Sequence, residues 1–390
     1  MQLLVAGLTL AVWLGYVFLV AGEERTIALS LTMMSVSCLV NLDWCLMGLD
    51  QFRPIALRNT AVKLLAAGGV FLFVKGKEDL WVYGLIWSLA TLVGCLSCAA
   101  GLRKRVTPVR VPWKDALRHL RPCAVLFVAV IAVSVYRQMD KVMVGAIAGM
   151  EQNGLYESAE RIIYCLSGFI SAIGSVMMPR AAHLMKQGKT DHVLRSMDTT
   201  MQLILCMVCA MAFGVSAVAD SFTPLFFGED FAPAASLMIP LSFTLILIGF
   251  ANVVRTQWIL PGERDRIVVR SVVTGAVLNL IVNALLIPSM GAMGAVVGTL
   301  MAEAAVPVVQ AIHLRRELPY LRYLRHVATY CCAGGIMLAA VRLAGAWIPL
   351  SGWWLLAAQV AVGMAVYGAL CLCLWLVTKN KAMLHLLRLC

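Results

Sequence analysis

Residues 136–180 read YRQMDKVMVGAIAGMEQNGLYESAERIIYCLSGFISAIGSVMMPR, which places a knot of opposite charges inside an otherwise apolar hairpin. The apolar run from Ala124 to Tyr136 leads into Arg137, Asp140 and Lys141, which at i, i+3 and i+4 share one helix face. Asn153 and Gly154 break the chain in a turn from Gly149 to Gly154. A second helix then opens with Glu157, Glu160 and Arg161 and stays apolar to Met178. Folding antiparallel about residues 150 and 151 sets Asp140 level with Arg161 and Lys141 level with Glu160, both pairs opposite in charge. Arg137 falls a turn deeper, level with Tyr164, with no carboxylate opposite. Ionisable groups at membrane depth cost roughly 2.5–3.5 kcal/mol each on insertion scales, so an unpaired cation there points to an anionic ligand or a water-filled cavity. The alternative is a hairpin that its ion pairs simply hold together.

Composition places that hairpin in a membrane. The chain has 390 residues, 61% hydrophobic and only 13% charged, against roughly a quarter charged in soluble domains. Apolar segments of about 20 residues, long enough to cross about 30 Å of hydrocarbon, recur twelve times. They lie near 1–22, 27–48, 55–74, 80–102, 122–148, 155–179, 199–219, 232–260, 267–288, 291–314, 327–349 and 352–377. These segments are too long and too uniformly apolar for barrel strands, and only helices or closed barrels satisfy their own backbone in lipid. The expected fold is all-α and polytopic. Met1 to Ala21 lacks a basic leader and is long enough to span, so it reads as the first helix rather than as a cleaved signal.

Loop charge sets the expected orientation. One alternate set of loops and ends, from Arg53 and Arg58 through Gly101–Pro122 to Arg388, holds 23 Lys and Arg. The other holds Arg25, Lys75 and Lys77 together with acids such as Glu23, Glu78, Glu151 and Asp230. This asymmetry predicts both termini in the cytoplasm. It also accounts for most of the net charge of +12, which removes nucleic acid as a partner. The basic stretch 106–121, with Pro108 and Pro112, reads as a linker between an amino-terminal bundle, 1–105, and a six-helix bundle, 122–316. Residues 327–377, with Trp347, Trp353, Trp354 and Trp375 as interfacial anchors, read as an appended helical pair.

Signals of catalysis and metal binding are missing. Gly188-Lys189-Thr190 lacks the glycine that a phosphate loop requires five residues earlier, where His183 stands. His183, His192, His313 and His326 are scattered through basic loops and read as solvated charge. The 13 cysteines sit mostly singly in apolar spans, and the Cys95–Cys98 CxxC has no histidine partners, so they read as small core residues. The external loops are too short for a substrate-reading catalytic loop. Candidate residues are therefore charges at membrane depth. Asp43 lies level with Lys63 if the hairpin turns near Arg53, an expected structural or gating pair. Glu303 lies about 12 residues, or about 18 Å, into its span, with Asn279 and Asn283 as expected hydrogen-bond neighbours. It is a candidate for proton or sodium coupling or a neutral structural carboxyl. Arg255 and Arg342 lie where either can snorkel.

Several patterns together resemble a known family. They are Asp43-Trp44 with Gly48, Arg58-Asn59, Tyr136 with Asp140 and Gly145, Gly154-Leu155-Tyr156 with Ala159, Met178-Pro179-Arg180, and Phe226-Phe227-Gly228 with Phe231. The run LNLIVNALLIPSMGAMGAVVGTLMAEA from Leu278 to Ala304 completes the set. From about Met1 to Ile312 the chain resembles the Wzx-type polysaccharide flippases of the multidrug/oligosaccharidyl-lipid/polysaccharide exporter superfamily. The resemblance implies two helical bundles around a central cavity and alternating access. It also implies movement of an undecaprenyl-pyrophosphate-linked oligosaccharide to the outer leaflet of a bacterial cytoplasmic membrane, alongside other polysaccharide-assembly proteins. Against that pattern the amino-terminal bundle has four spans, so the first two family helices are expected to be absent. The last pair would correspond to two extra helices that line a lipid-tail groove in the related lipid II flippases.

Such a transporter needs cations for pyrophosphate and polar groups for sugars. The expected substrate-binding cations are Lys63, Arg137, Arg161 and Arg255, with Asp43, Asp140, Lys141, Glu160 and Glu303 as coupling or gating groups. A cation-coupled drug exporter of the same superfamily calls instead for an anionic, aromatic cavity. An integral-membrane glycosyltransferase or polymerase calls for carboxylates near the membrane surface. A cavity lined mainly by Arg and Lys and closed to one side would favour flipping over both.

Overall fold

The computed structural model describes residues 2–48, 52–102, 112, 138–378 and 383. Every regular element among them is helical. The chain divides into two compact units, Met1–Val130 and Ile131–Cys390. Ten of the described helices are long and apolar enough to cross a membrane. Of the two other expected spans, 55–74 is a 22-residue helix, Phe52–Phe73, and 122–148 is described only from residue 138. The expected linker 106–121 lies outside the described residues apart from Pro112.

In the first unit, α1 (Gln2–Leu19) is followed by a segmented span made of α2 (Arg25–Ser30), α3 (Thr32–Val40) and α4 (Asp43–Gly48). The expected single helix 27–48 breaks at Leu31 and again at Asn41, where the backbone turns extended. Side chains hold the second break. Gln2 Nε2 donates to the carbonyls of Cys38 and Asn41 at 2.8 and 2.6 Å, and Trp44 Nε1 donates to Gln2 Oε1 at 2.9 Å. Next come α5 (Phe52–Phe73) and α6 (Leu80–Leu102). Asp43 does not meet Lys63. It is gripped by Arg58 through two hydrogen bonds of 2.6 and 2.8 Å, while Lys63 is exposed. Arg58 stands five residues before Lys63 on α5, so Asp43 draws level with an earlier cation than a turn at Arg53 would give. The planar fork of arginine matches a carboxylate in two places at once.

The second unit begins, among described residues, with α7 (138–147) and a reversal at Ala148–Gly149, where Gly149 takes φ +94. A left-handed glycine lets the chain reverse within two residues, so α8 (Met150–Lys186) starts five residues before the expected 155 and absorbs Asn153 and Gly154. α8 has 37 residues and α9 (Thr190–Phe227) has 38, about 55 Å each, so both extend well beyond the hydrocarbon. Then follow α10 (Ala234–Ser242), α11 (Thr244–Val254) with a π-turn over Arg255–Ile259, α12 (Asp265–Met290), α13 (Ala292–Leu314), α14 (Tyr320–Trp347) and α15 (Gly352–Val377).

α9 is the mast of this unit. Met197, Met201, Leu205, Cys209 and Ala212 are fully buried along it, and α10, α11, α14 and α15 all pack on it. Ser242 donates to the Ala212 carbonyl at 2.9 Å, and a Cβ on Gly334 would overlap the Phe213 ring. The pair expected as an appendage lies directly on the mast: Tyr367 OH donates to the Cys206 carbonyl at 2.8 Å. Two thiol contacts join the same elements, Cys206 to Cys371 at 3.7 Å and Cys209 to Cys331 at 3.9 Å. Cys206 and Cys209 form a second CxxC, on α9. Arg342 does not snorkel alone; it donates to the Ser216 carbonyl at 3.2 Å and approaches Asp220 at 3.6 Å.

The α12–α13 hairpin is packed most closely, because small residues stand where the helices touch. A Cβ on Gly294 would overlap the Leu286 carbonyl, and one on Gly298 would overlap the Asn283 side-chain oxygen. Gly298→Ala is therefore expected to lower stability by about 1–3 kcal/mol through overpacking, while Gly168→Ala, with open space around its Cβ, should be neutral or slightly stabilising. Thermal unfolding of the two variants in the same detergent checks this; equal midpoints would show that the α12–α13 approach is not constrained.

Candidate functional site

Within the second unit a cavity of about 580 Å³ opens between α7, α8, α10, α11, α12 and α13. Its best-organised wall is centred on Asp140, only 6% exposed. The carboxylate accepts three hydrogen bonds, from Tyr156 OH at 3.0 Å, Thr299 Oγ1 at 2.9 Å and Asn283 Nδ2 at 2.6 Å. The Asn283 amide also donates to Asn279 Oδ1 at 3.2 Å. A buried carboxylate is tolerated only when its lone pairs are satisfied, and here α8, α12 and α13 each supply a donor to α7.

The charge pairing differs from expectation in an informative way. Lys141 Nζ meets Glu160 Oε2 at 3.0 Å, but Asp140 does not meet Arg161. Because the reversal is centred on residue 148 rather than on 150 and 151, Asp140 comes level with Tyr156. Arg161 instead pairs along its own helix with Glu157 at 3.1 Å, with 70% of its side chain exposed. Asn279 and Asn283 were expected beside Glu303; Asn283 instead donates to both Asp140 and Asn279. Glu303 lines the cavity at another point, within electrostatic reach of Arg255. Arg137 lies outside the described residues, and Asp43 and Lys63 belong to the first unit.

The lining is polar but not mainly cationic. Among the described lining residues, Lys141, Arg161 and Arg255 face Asp140, Glu157, Glu160 and Glu303. Uncharged hydrogen-bonding groups make up much of the rest, including Ser167, Thr244, Asn252, Ser271 and Gln310, and Tyr164 is the one aromatic. Tyr156, Thr299 and Gln310 were not singled out as site residues in the sequence. Thr299 did carry a signal, since it stands four residues before Glu303 and hence on the same helical face. Tyr156 stood in the Gly154-Leu155-Tyr156 pattern without a role assigned to it, and Gln310 gave no signal, because its burial in the cavity wall is decided by helices distant in sequence.

A family model described as a polysaccharide biosynthesis protein matches residues 1–185. The chain is 25% identical over 291 residues to the probable low-salt glycan biosynthesis flippase of Haloferax volcanii, covering 73% of this chain and 59% of that protein. It is 20% identical over 265 residues to a putative O-antigen transporter of Shigella dysenteriae, covering 67% of this chain and 66% of that one. The match therefore spans about three fifths to two thirds of these relatives' length. The fold is similar to that of the lipid II flippase MurJ in an inward closed conformation, with a TM-score of 0.69 at 12% identity over 93% of this chain and 74% of that one. Helical fold, motif set and relatives agree in making this chain similar to polysaccharide flippases and O-antigen transporters.

Proposed function

We propose that this chain carries a lipid-linked oligosaccharide, with undecaprenyl pyrophosphate as the lipid, from the inner to the outer leaflet of a bacterial cytoplasmic membrane by alternating access. The observation that carries the reading is a cavity walled by hydroxyls, amides and compensated charges inside helices whose outer surfaces are apolar. A saccharide cannot leave water without replacement hydrogen bonds, and such a wall supplies them. The names of the relatives support the same cargo class. Both termini face the cytoplasm in this reading, as the basic loops require.

Asp140 is the candidate seat of coupling to a proton or sodium ion. Hydroxyl and amide donors from three helices meet it at one buried point on a fourth, so whatever binds there bears on how those helices pack. The acidic excess in the lining favours, as a second reading, a cation-coupled drug exporter, although a lining with one aromatic gives a flat cationic drug little to stack on.

Expression in a strain that lacks its own polysaccharide flippase separates the readings. Restored surface polysaccharide is expected from wild type, and loss of it from Asp140→Ala at unchanged membrane level. Resistance to cationic dyes without restored polysaccharide would establish the exporter instead. The Lys141–Glu160 pair makes a separate prediction. Lys141→Ala leaves a partly buried carboxylate uncompensated and should cost more stability than the charge-swapped double variant. A double-mutant cycle on unfolding midpoints should give a coupling of about 0.5–3 kcal/mol; additive single effects would mean that the pair contributes nothing.

A further inference from the structure

At the basic end of the α12–α13 hairpin two donor-rich side chains meet across the helices: Arg270 Nη1 lies 3.4 Å from His313 Nε2. The other ring nitrogen, Nδ1, donates to the Val309 carbonyl at 2.8 Å, so a neutral ring can accept from Arg270 at Nε2 but brings it no negative charge. Arg266 stands one turn before Arg270 on the same face of α12, and Arg316 follows His313 just beyond the end of α13. All four side chains are exposed. Like charges four residues apart on one helix repel, yet among the described residues none of these three arginines forms an ion pair. Glu317, the acid closest to them in sequence on the α13 side, is already held by Arg264 at 2.6 Å and by Trp258 at 3.0 Å.

The chain beside this cluster is apolar and uncovered. Val273 and Val277 continue the stripe of Arg266 and Arg270 at helical spacing, and Val308 and Ile312 stand on α13; all four are more than half exposed. The hairpin register that sets Gly298 against Asn283 puts Val273 level with Val308 and Val269 level with Ile312. An anionic head on the cations with hydrocarbon along the valines matches both halves of this surface. A soluble polyanion has no use for the valines, and a zwitterionic phospholipid brings a cation of its own toward Arg266 and Arg270. Basic clusters between membrane helices hold anionic head groups by this combination of charge and depth.

We propose that the basic end of the α12–α13 hairpin is a binding site for one anionic phospholipid, with its phosphate on Arg270 and His313 and its acyl chains along Val273, Val277 and Val308. In the orientation proposed above, this lipid belongs to the inner leaflet. The site is separate from the cavity and does not depend on which cargo the chain carries.

The test uses the purified full chain in detergent and counts bound lipid by native mass spectrometry. Dioleoylphosphatidylglycerol, dioleoylphosphatidylcholine and glycerol phosphate serve as separate probes. Wild type should bind the phosphatidylglycerol about tenfold more tightly than the phosphatidylcholine, and glycerol phosphate should not compete. Arg270→Gln should weaken phosphatidylglycerol binding by about fivefold, the effect of one cation near the membrane surface, and leave phosphatidylcholine binding unchanged. Arg266→Gln should act in the same direction and supplies the test if Arg270→Gln does not fold. Arg325→Gln, which removes an exposed cation at the start of α14, should bind both lipids as wild type does. Equal binding of the two lipids by wild type overturns the site. So does a loss in Arg325→Gln as large as in Arg270→Gln, which would mean that basic loops attract the lipid without a defined place. Competition by glycerol phosphate would mean a free-phosphate site and overturns the lipid.

Discussion

A carboxylate buried in a membrane protein has to be surrounded by donors, and Asp140 imposes that requirement on the second unit. Its three hydrogen bonds come from α8, α12 and α13, so four helices are fixed relative to one point. Other features follow from that point. Asn283 must reach Asp140 across the α12–α13 hairpin, and the space its side chain fills is space that Gly298 leaves open. Gly149 must reverse the chain within two residues, since a longer turn would carry Tyr156 past Asp140. Lys141, next in sequence, then falls within reach of Glu160.

The remaining helices divide the unit into two sides. α9 contributes no lining residue to the cavity; its buried positions serve packing instead. On one side of the cavity wall α11 packs against α13 and α8, and on the mast itself lie α14 and α15, held by Tyr367 and the cysteine contacts. The cavity's polar lining is thus supplied by α7, α8 and α10–α13, while α9, α14 and α15 associate mainly through apolar side chains and close backbone approach, with a few hydrogen bonds such as Tyr367 to Cys206 and Arg322 to Asp198. In lipid that arrangement is economical, because helix association there depends on packing and on hydrogen bonds rather than on expulsion of water.

Parts of the candidate site were legible in advance. Lys141 and Glu160 were recognisable as partners because both are long side chains, and a pair of flexible charges tolerates a register error of a residue or two. Asp140 is short and tolerates none, so the same error assigned it to Arg161 instead of Tyr156. Asp43 repeats the case: a register difference of a few residues exchanges Lys63 for Arg58. Gln310 could not be recognised at all, since a glutamine in an apolar helix is unremarkable until the surrounding helices place it in a cavity wall.

By itself the sequence determined what depends on local composition: helices, their approximate extents, the alternation of basic and acidic loops, and which charges lie at membrane depth. Hydrophobic length and loop charge are one-dimensional properties, read along the chain without knowing what folds against what. The tertiary structure decided which of those charges meet. A shift of one residue rotates a helical position by about 100° and moves it about 1.5 Å, and the partners of Asp140 come from segments up to 159 residues away. Hydrogen bonds tolerate a few tenths of an ångström, so turn length and interhelical contact, neither of which is local, decide the site.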